Sequence, residues 1–188
     1  MPRRQPLPHL WLMTDERIGD ALLCTVAQMP RGSGVIFRHY ATPAKERRRL
    51  DERVRAIARR RRLVLVLAGS PREATGWRAD GAHGRSRHIG TARPLIRTYP
   101  AHDPVDVRLG SSADLVLLSP VFATRSHPGA AALGPIRFGL MAQRARTLII
   151  ALGGMDARGL ARLRALGAYG WAGIDALTRN ESKFPLRI

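Results

Sequence analysis

Two short apolar runs, Leu115-Val116-Leu117-Leu118 and Leu148-Ile149-Ile150-Ala151-Leu152, each stop abruptly. The first gives way to Ser119-Pro120-Val121-Phe122-Ala123-Thr124-Arg125-Ser126-His127-Pro128-Gly129, the second to Gly153-Gly154-Met155-Asp156. Four or five apolar residues closed by Gly, Pro and hydroxyl side chains read as parallel strands buried on both faces that feed functional loops. Two adjacent glycines before a helix start also leave main-chain N–H groups unobstructed, which suits them to seat a phosphate.

Strands of this kind need helices to cover them, and the chain supplies them in alternation. Leu10-Trp11-Leu12-Met13 predicts a first strand ending at Thr14-Asp15, and Ile18 to Gln28 has apolar residues at helical spacing. Gly34-Val35-Ile36-Phe37-Arg38 predicts a second strand. Thr42 as N-cap and Pro43 in the first turn then open a helix with Leu50, Val54, Ile57 and Ala58 on one face. Further strands are predicted at 63–67, 81–83 and 95–99, with room only for short helices at 72–79 and 105–109. The two apolar runs above are the sixth and seventh strands, separated by a helix over 136–144. A helix capped by Asp156 leads through Leu166 to an eighth strand over 170–174. About eight βα units predict a compact (β/α)₈ TIM barrel. The fold typically takes about 250 residues, so a chain of 188 must shorten several outer helices. An open doubly wound sheet is the alternative. Residues 1–188 are expected to form one domain, with 1–8 and 178–188 as flexible ends.

Charge raises a different possibility. The formal net charge is +18, and all the basic residues except Lys45 and Lys183 are arginines. Such a balance can mark nucleic-acid or acidic-surface binding. The arginines are scattered, however, and the densest group, Arg47 to Arg62, falls on the predicted second helix, where a solvated basic face is the simpler reading. A nucleic-acid-binding module stays as the alternative from another function class. No apolar run approaches the roughly 20 residues a membrane span needs. Cys24 is the sole cysteine, which excludes an intrachain disulfide or a multi-cysteine zinc site. Without a long apolar stretch after Arg3-Arg4, no secretory signal is expected, and a cytoplasmic protein is.

Several segments, taken in order, resemble the thiamine phosphate synthase and TenI family from about Leu10 to Leu177. They are Leu12-Met13-Thr14-Asp15, Ala79-Asp80-Gly81-Ala82-His83, Ser119-Pro120-Val121-Phe122-Ala123-Thr124, Ile150-Ala151-Leu152-Gly153-Gly154-Met155 and Gly167-Ala168-Tyr169-Gly170-Trp171-Ala172-Gly173. The resemblance implies the barrel fold and a place in thiamine biosynthesis. It also implies a thiazole phosphate held by loops after the sixth, seventh and eighth strands. Thr124, Ser126, Gly153, Gly154, Gly173 and Ile174 match the phosphate-binding positions, and His127 stands where the family has Lys. Asp175 replaces a usual Ser, and a carboxylate beside a phosphate is expected to turn away or to help bind something else.

The family's synthase also uses magnesium and a pyrimidine methyl pyrophosphate, and here the sequence departs. The second strand retains only Arg38 of the pattern Gln-x-Arg-x-Lys. Ala68-Gly69 replaces Asn-Asp, and His88 falls where a second magnesium aspartate belongs. Hard magnesium wants oxygen ligands, so Mg²⁺ enters only if synthase activity is retained, and no other cofactor is expected. His102 matches the His that moves a proton in TenI-type thiazole tautomerases, a reaction needing no metal. Pro100 replaces the Ser of that loop. The candidate catalytic residues are therefore His102 and Arg38. The candidate chemistries are synthase transfer, tautomerisation, or none in a non-catalytic paralogue, and a homodimer is compatible with each. A metal cluster of His39, His83 and His88 has no recognised ligand spacing.

Overall fold

The structure of the protein is a computed structural model that describes residues 6–86, 94–125, 129 and 131–178. Eight parallel strands close into a barrel in sequential order: β1 (Leu10–Met13), β2 (Gly34–Phe37), β3 (Val64–Ala68), β4 (Gly81–His83), β5 (Ile96–Ala101), β6 (Leu115–Leu118), β7 (Leu148–Leu152) and β8 (Ala168–Gly173). β8 pairs with β1 through Leu10↔Trp171 and Leu12↔Gly173, which closes the barrel and excludes the open sheet. β1, β2 and β6 are buried at every position, so each reads as an unbroken apolar run rather than an alternating one. Trp11 fills the space beside Gly34, where a Cβ would lie 2.1 Å from the indole. Its Nε1 donates to the Pro8 carbonyl at 2.7 Å.

The described helices are α1 (Leu22–Gln28, after a 3₁₀ segment Glu16–Ala21), α2 (Ala44–Arg61), α3 (Pro71–Gly76), α4 (Pro104–Leu109), α5 (Gly134–Gln143), α6 (Ala157–Arg164) and α7 (Asp175–Thr178). α3 and α4 have six residues each and α7 has four, which is the shortening a 188-residue barrel requires. Ser70, Asp103 and Asp156 cap α3, α4 and α6 by accepting from main-chain N–H groups of the first turn. Thr42 does not cap α2. The N-cap is Pro43, and the Thr42 hydroxyl reaches Glu16 instead. Tyr169 donates to the Leu7 carbonyl at 2.6 Å. Among the described residues no helix is long and apolar enough to cross a membrane.

Candidate functional site

Parallel strands aim their C-terminal ends at one rim, and every βα loop opens there. On the side formed by the later strands these loops surround a cavity of about 580 Å³, bordered across the barrel by Met13 and Arg38. That is the size of a small-molecule site. His102, Thr124, Gly153, Gly154, Gly173 and Ile174 all line it. The rim thus brings Arg38 together with five of the six positions matched to phosphate binding and with the candidate base. Ser126 and His127, with His88, lie outside the described residues.

The glycine pair owes its place to sterics. Gly153 and Gly154 have φ of 92° and 61°. A Cβ on Gly153 would stand 2.8 Å from the Pro120 Cα, and one on Gly154 2.4 Å from the Ala123 carbonyl oxygen. Only glycine lets the β7 loop pass under the β6 loop. Val121 N donates to Leu152 O at 2.9 Å and Phe122 N to Gly153 O at 3.0 Å, so main-chain bonds stitch the two loops. Neither glycine amide donates to a carbonyl of the described residues, and such amides are suited to an anion. One detail differs from expectation: the glycines do not themselves open a helix. α6 begins at Ala157, and Asp156 caps it by accepting from Gly159 N at 2.7 Å. Asp175 is also among the residues lining the cavity, and its charge acts on Arg17. It is the first residue of α7, whose opening turn is closed by Leu177 N and Thr178 N donating to Ile174 O.

His102 sits just past β5. Its main-chain N–H donates to the Asp106 carboxylate at 3.0 Å, which also accepts from Arg85 Nη2 at 2.8 Å. Its ring Nδ1 lies 2.9 Å from the Ser119 carbonyl oxygen and 3.3 Å from the Ser119 hydroxyl. A carbonyl only accepts, so Nδ1 carries the proton and Nε2 keeps the lone pair. The ring is thus fixed in orientation at the edge of the cavity.

Arg38 is tethered to the two residues that follow β1. Its Nε donates to the Thr14 carbonyl at 2.8 Å, and Nη2 pairs with Asp15 at 3.1 Å. Burial lowers its pKa and Asp15 opposes the shift. The Asp15 carboxyl lies below its ordinary value: burial works against this, but the hydrogen bonds and charge of Arg17, with Arg38, prevail. Sequence reasoning noted Thr14-Asp15 as a motif without seeing that it anchors Arg38. It also passed over Ser119, which orients His102, and Arg125, a cation lining the cavity beside Thr124.

The rim above β2 and β3, where the resemblance in sequence implies a magnesium site, is built differently. Arg47 is not part of a solvated face. Its Nε donates to the Arg38 carbonyl at 2.8 Å, Nη2 to the Ala68 carbonyl at 2.6 Å, and Nη1 pairs with Glu73 at 3.0 Å. A Cβ on Gly69 would meet the Glu73 carboxylate at 2.5 Å, so that acid occupies the space a side chain at Gly69 would use. The carboxylate near the expected metal position therefore already has a guanidinium partner, and Ala68-Gly69 supplies no side-chain oxygen. These residues do not fit magnesium, which needs several oxygen ligands at once. His39 and His83 are buried and bonded to Thr14 and Thr98 hydroxyls at 3.0 and 2.8 Å. Among the described residues no group of three or more His, Cys, Asp or Glu could hold a metal.

The chain is similar to known proteins over nearly its whole length. The sequence model of a family described as thiamine monophosphate synthase matches residues 10–177. A protein of Aquifex aeolicus (strain VF5), provisionally named thiamine-phosphate synthase 2, is 27% identical over 180 residues, covering 90% of this chain and 97% of its own. A solved thiamine phosphate pyrophosphorylase from Pyrococcus furiosus superposes with a TM-score of 0.75 at 19% identity, covering 93% of this chain and 89% of that one. The corresponding enzyme structure from Bacteroides thetaiotaomicron gives 0.61 at 17% identity, covering 90% and 83%. Both structural likenesses attest the fold.

Proposed function

Because the chain belongs to the thiamine monophosphate synthase family, we propose that it binds a thiazole phosphate in the later-strand cavity and interconverts thiazole tautomers without a metal ion. The observation that carries this reading is the His102 ring, tautomerically fixed by the Ser119 carbonyl, in one cavity with the Gly153 and Gly154 amides. In this reading the glycine amides, the Thr124 hydroxyl and the Arg125 guanidinium hold the phosphate. Gly173 and Ile174 border the phosphate as well. His102 Nε2 accepts a proton from one ring atom, and the imidazolium returns it to another, so no net proton is gained or lost. The Ser119 carbonyl stabilises the cationic ring through Nδ1–H while it exists. Asp106 is a positioning residue, since it touches the His102 main chain rather than the cavity.

A pyrimidine pyrophosphate is the less supported second substrate. It carries several negative charges, and the early rim offers it Arg38, a residue already committed to Thr14 and Asp15.

Calorimetry with thiazole phosphate, with and without magnesium and the pyrimidine pyrophosphate, tests the reading. Binding insensitive to magnesium is expected. The variant His102→Ala should bind within about threefold of the parent yet exchange the ring proton about 10²–10⁴-fold more slowly. Exchange at the parental rate would remove His102 from the chemistry. Magnesium-dependent product formation would restore the synthase reaction.

A further inference from the structure

One side of the barrel's outer surface is apolar. Among the described residues six large hydrophobic side chains stand exposed, and five of them lie here: Val105 and Leu109 on α4, Ile136 and Leu140 on α5, and Leu148 at the start of β7. α4 and α5 follow the paired strands β5 and β6, so they are neighbours on the outside of the barrel. α5 is apolar all round. Phe138, Gly139, Met141 and Ala142 are buried, yet Ile136 is 79% and Leu140 55% exposed, and Arg137 is the helix's one charged residue. A helix with apolar residues on both faces is ordinarily covered on both. The next helix, α6, is built for solvent: it buries Gly159, Leu160 and Leu163 and exposes Arg158, Arg162 and Arg164. α4 follows α5 rather than α6. It buries Val107, exposes Val105 and Leu109, and has its one acid, Asp106, buried and paired with Arg85.

Charge selects the occupant of this face. With a formal net charge of +18, two copies of the chain repel and can meet only where charge is sparse. α2 carries eight arginines in 18 residues, α5 one in ten. The strands that precede these helices, β2 and β6, are four positions apart in the closed barrel of eight, so α2 and α5 lie on opposite sides. Contact through α4 and α5 therefore keeps the two basic α2 helices as far apart as the fold permits. An acidic protein or an acidic membrane would be drawn instead to α2, on the side away from the apolar face. The area agrees. The five side chains expose on the order of 500 Å², which suits the apolar part of the ~800 Å² that each partner gives a stable dimer.

We propose that the face formed by α4 and α5 joins two copies of this chain in a two-fold dimer. Ile136 and Leu140 lie one turn apart, so antiparallel α5 helices set Ile136 of one protomer beside Leu140 of its partner. This interface is independent of the reading given for the rim.

Sedimentation equilibrium tests it on three proteins: the parent, an I136Q/L140Q variant, and an R49Q/R53Q control at exposed positions of α2. The parent should dimerise with a Kd of about 10 μM or tighter at about 0.15 M salt. Raising the salt to about 0.5 M should tighten the dimer, because repulsion between the two copies is screened. The I136Q/L140Q variant should weaken the dimer at least 20-fold, and the control should leave it unchanged or tighten it. If the double variant fails to fold, Ile136→Gln alone should weaken the dimer at least fivefold. A parent that stays monomeric at about 100 μM, ten times the expected Kd, would mean that no second copy covers this face. A dimer that survives I136Q/L140Q would place the interface elsewhere. A dimer that dissociates as salt rises would be held by charge rather than by the apolar face. Vesicles of phosphatidylcholine and phosphatidylserine that bind a monomeric parent but not the I136Q/L140Q variant would make the face a membrane surface. Each of these four results overturns the proposal.

Discussion

The two halves of the barrel rim are made from the same repeating unit and are finished in opposite ways. Above β6 to β8 the loops are joined by main-chain hydrogen bonds, among them Val121 N to Leu152 O, Phe122 N to Gly153 O and Leu133 N to Pro120 O. Above β2 and β3 they are joined by one side chain, Arg47, which bonds the ends of both strands and Glu73 of α3. Main-chain joints leave room for a ligand, because they add no side-chain volume. A guanidinium joint fills the space it bridges, here with Arg47 within 6 Å of the Phe37, Tyr40 and Trp77 rings. In the reading proposed above, the open half is the one that holds the phosphate, and the filled half offers no comparable space.

The most forceful way to break this contrast is to add a side chain where the open half depends on having none. Gly154→Val places a β-branched residue at φ 61° with its Cβ 2.4 Å from a carbonyl oxygen. A loss of about 3–4 kcal/mol is expected in urea unfolding, together with loss of thiazole phosphate binding. An unchanged midpoint would show that the loop accommodates side chains. Arg47→Met tests the filled half and should have the next largest effect. It removes three hydrogen bonds and strands Glu73, at a cost of about 2–3 kcal/mol. Because Arg47 does not line the cavity, thiazole phosphate affinity should stay within about threefold. A parallel fall in affinity would mean that the two halves are not independent.

The contrast also shows what could be read from residues alone. The barrel was legible because β1, β2 and β6 are apolar at every position and the runs recur with helical spacing between them. The glycine pair was legible because its constraint is local: two residues without side chains mark a close approach wherever they fold. The tethering of Arg38 was not, because it depends on Asp15, 23 residues away, sharing one carboxylate with two arginines. Nor was the inward turn of Arg47. In a run as basic as Arg47-Arg48-Arg49 nothing in the pattern says which arginine faces Ala68 and which faces water. Ser119 went unassigned because its contribution to His102 comes mainly from its carbonyl, which any residue would present. Side chains that meet across elements, and groups that act through the main chain, leave no mark in spacing.

The smallest expected effect sharpens the contrast through pH. His83, at the end of β4 in the filled half, is pushed down to about 4 by burial and by the charge of Arg38. The unfolded imidazole titrates near 6.5. Between those values the unfolded chain binds more protons, so this stabilising term is complete above about 6.5 and is lost as pH falls through about 4. Asp51, buried on α2, goes the other way. Burial raises its carboxyl to about 6 against the opposing charges of Arg48, Arg55 and Arg47. Its contribution is complete below about 3.8 and is lost as pH rises through about 6. In the parent the two slopes oppose each other between about pH 4 and 6, and each variant should expose the other group. Asp51→Asn should lose roughly 1 kcal/mol relative to the parent on acidification from pH 6 to 5, and His83→Gln should gain roughly as much. Denaturant unfolding at both pH values measures the difference, so a constant loss of packing in either variant cancels. If both variants follow the parental pH dependence, His83 and Asp51 titrate like exposed groups, and the early half is more open to water than its packing implies.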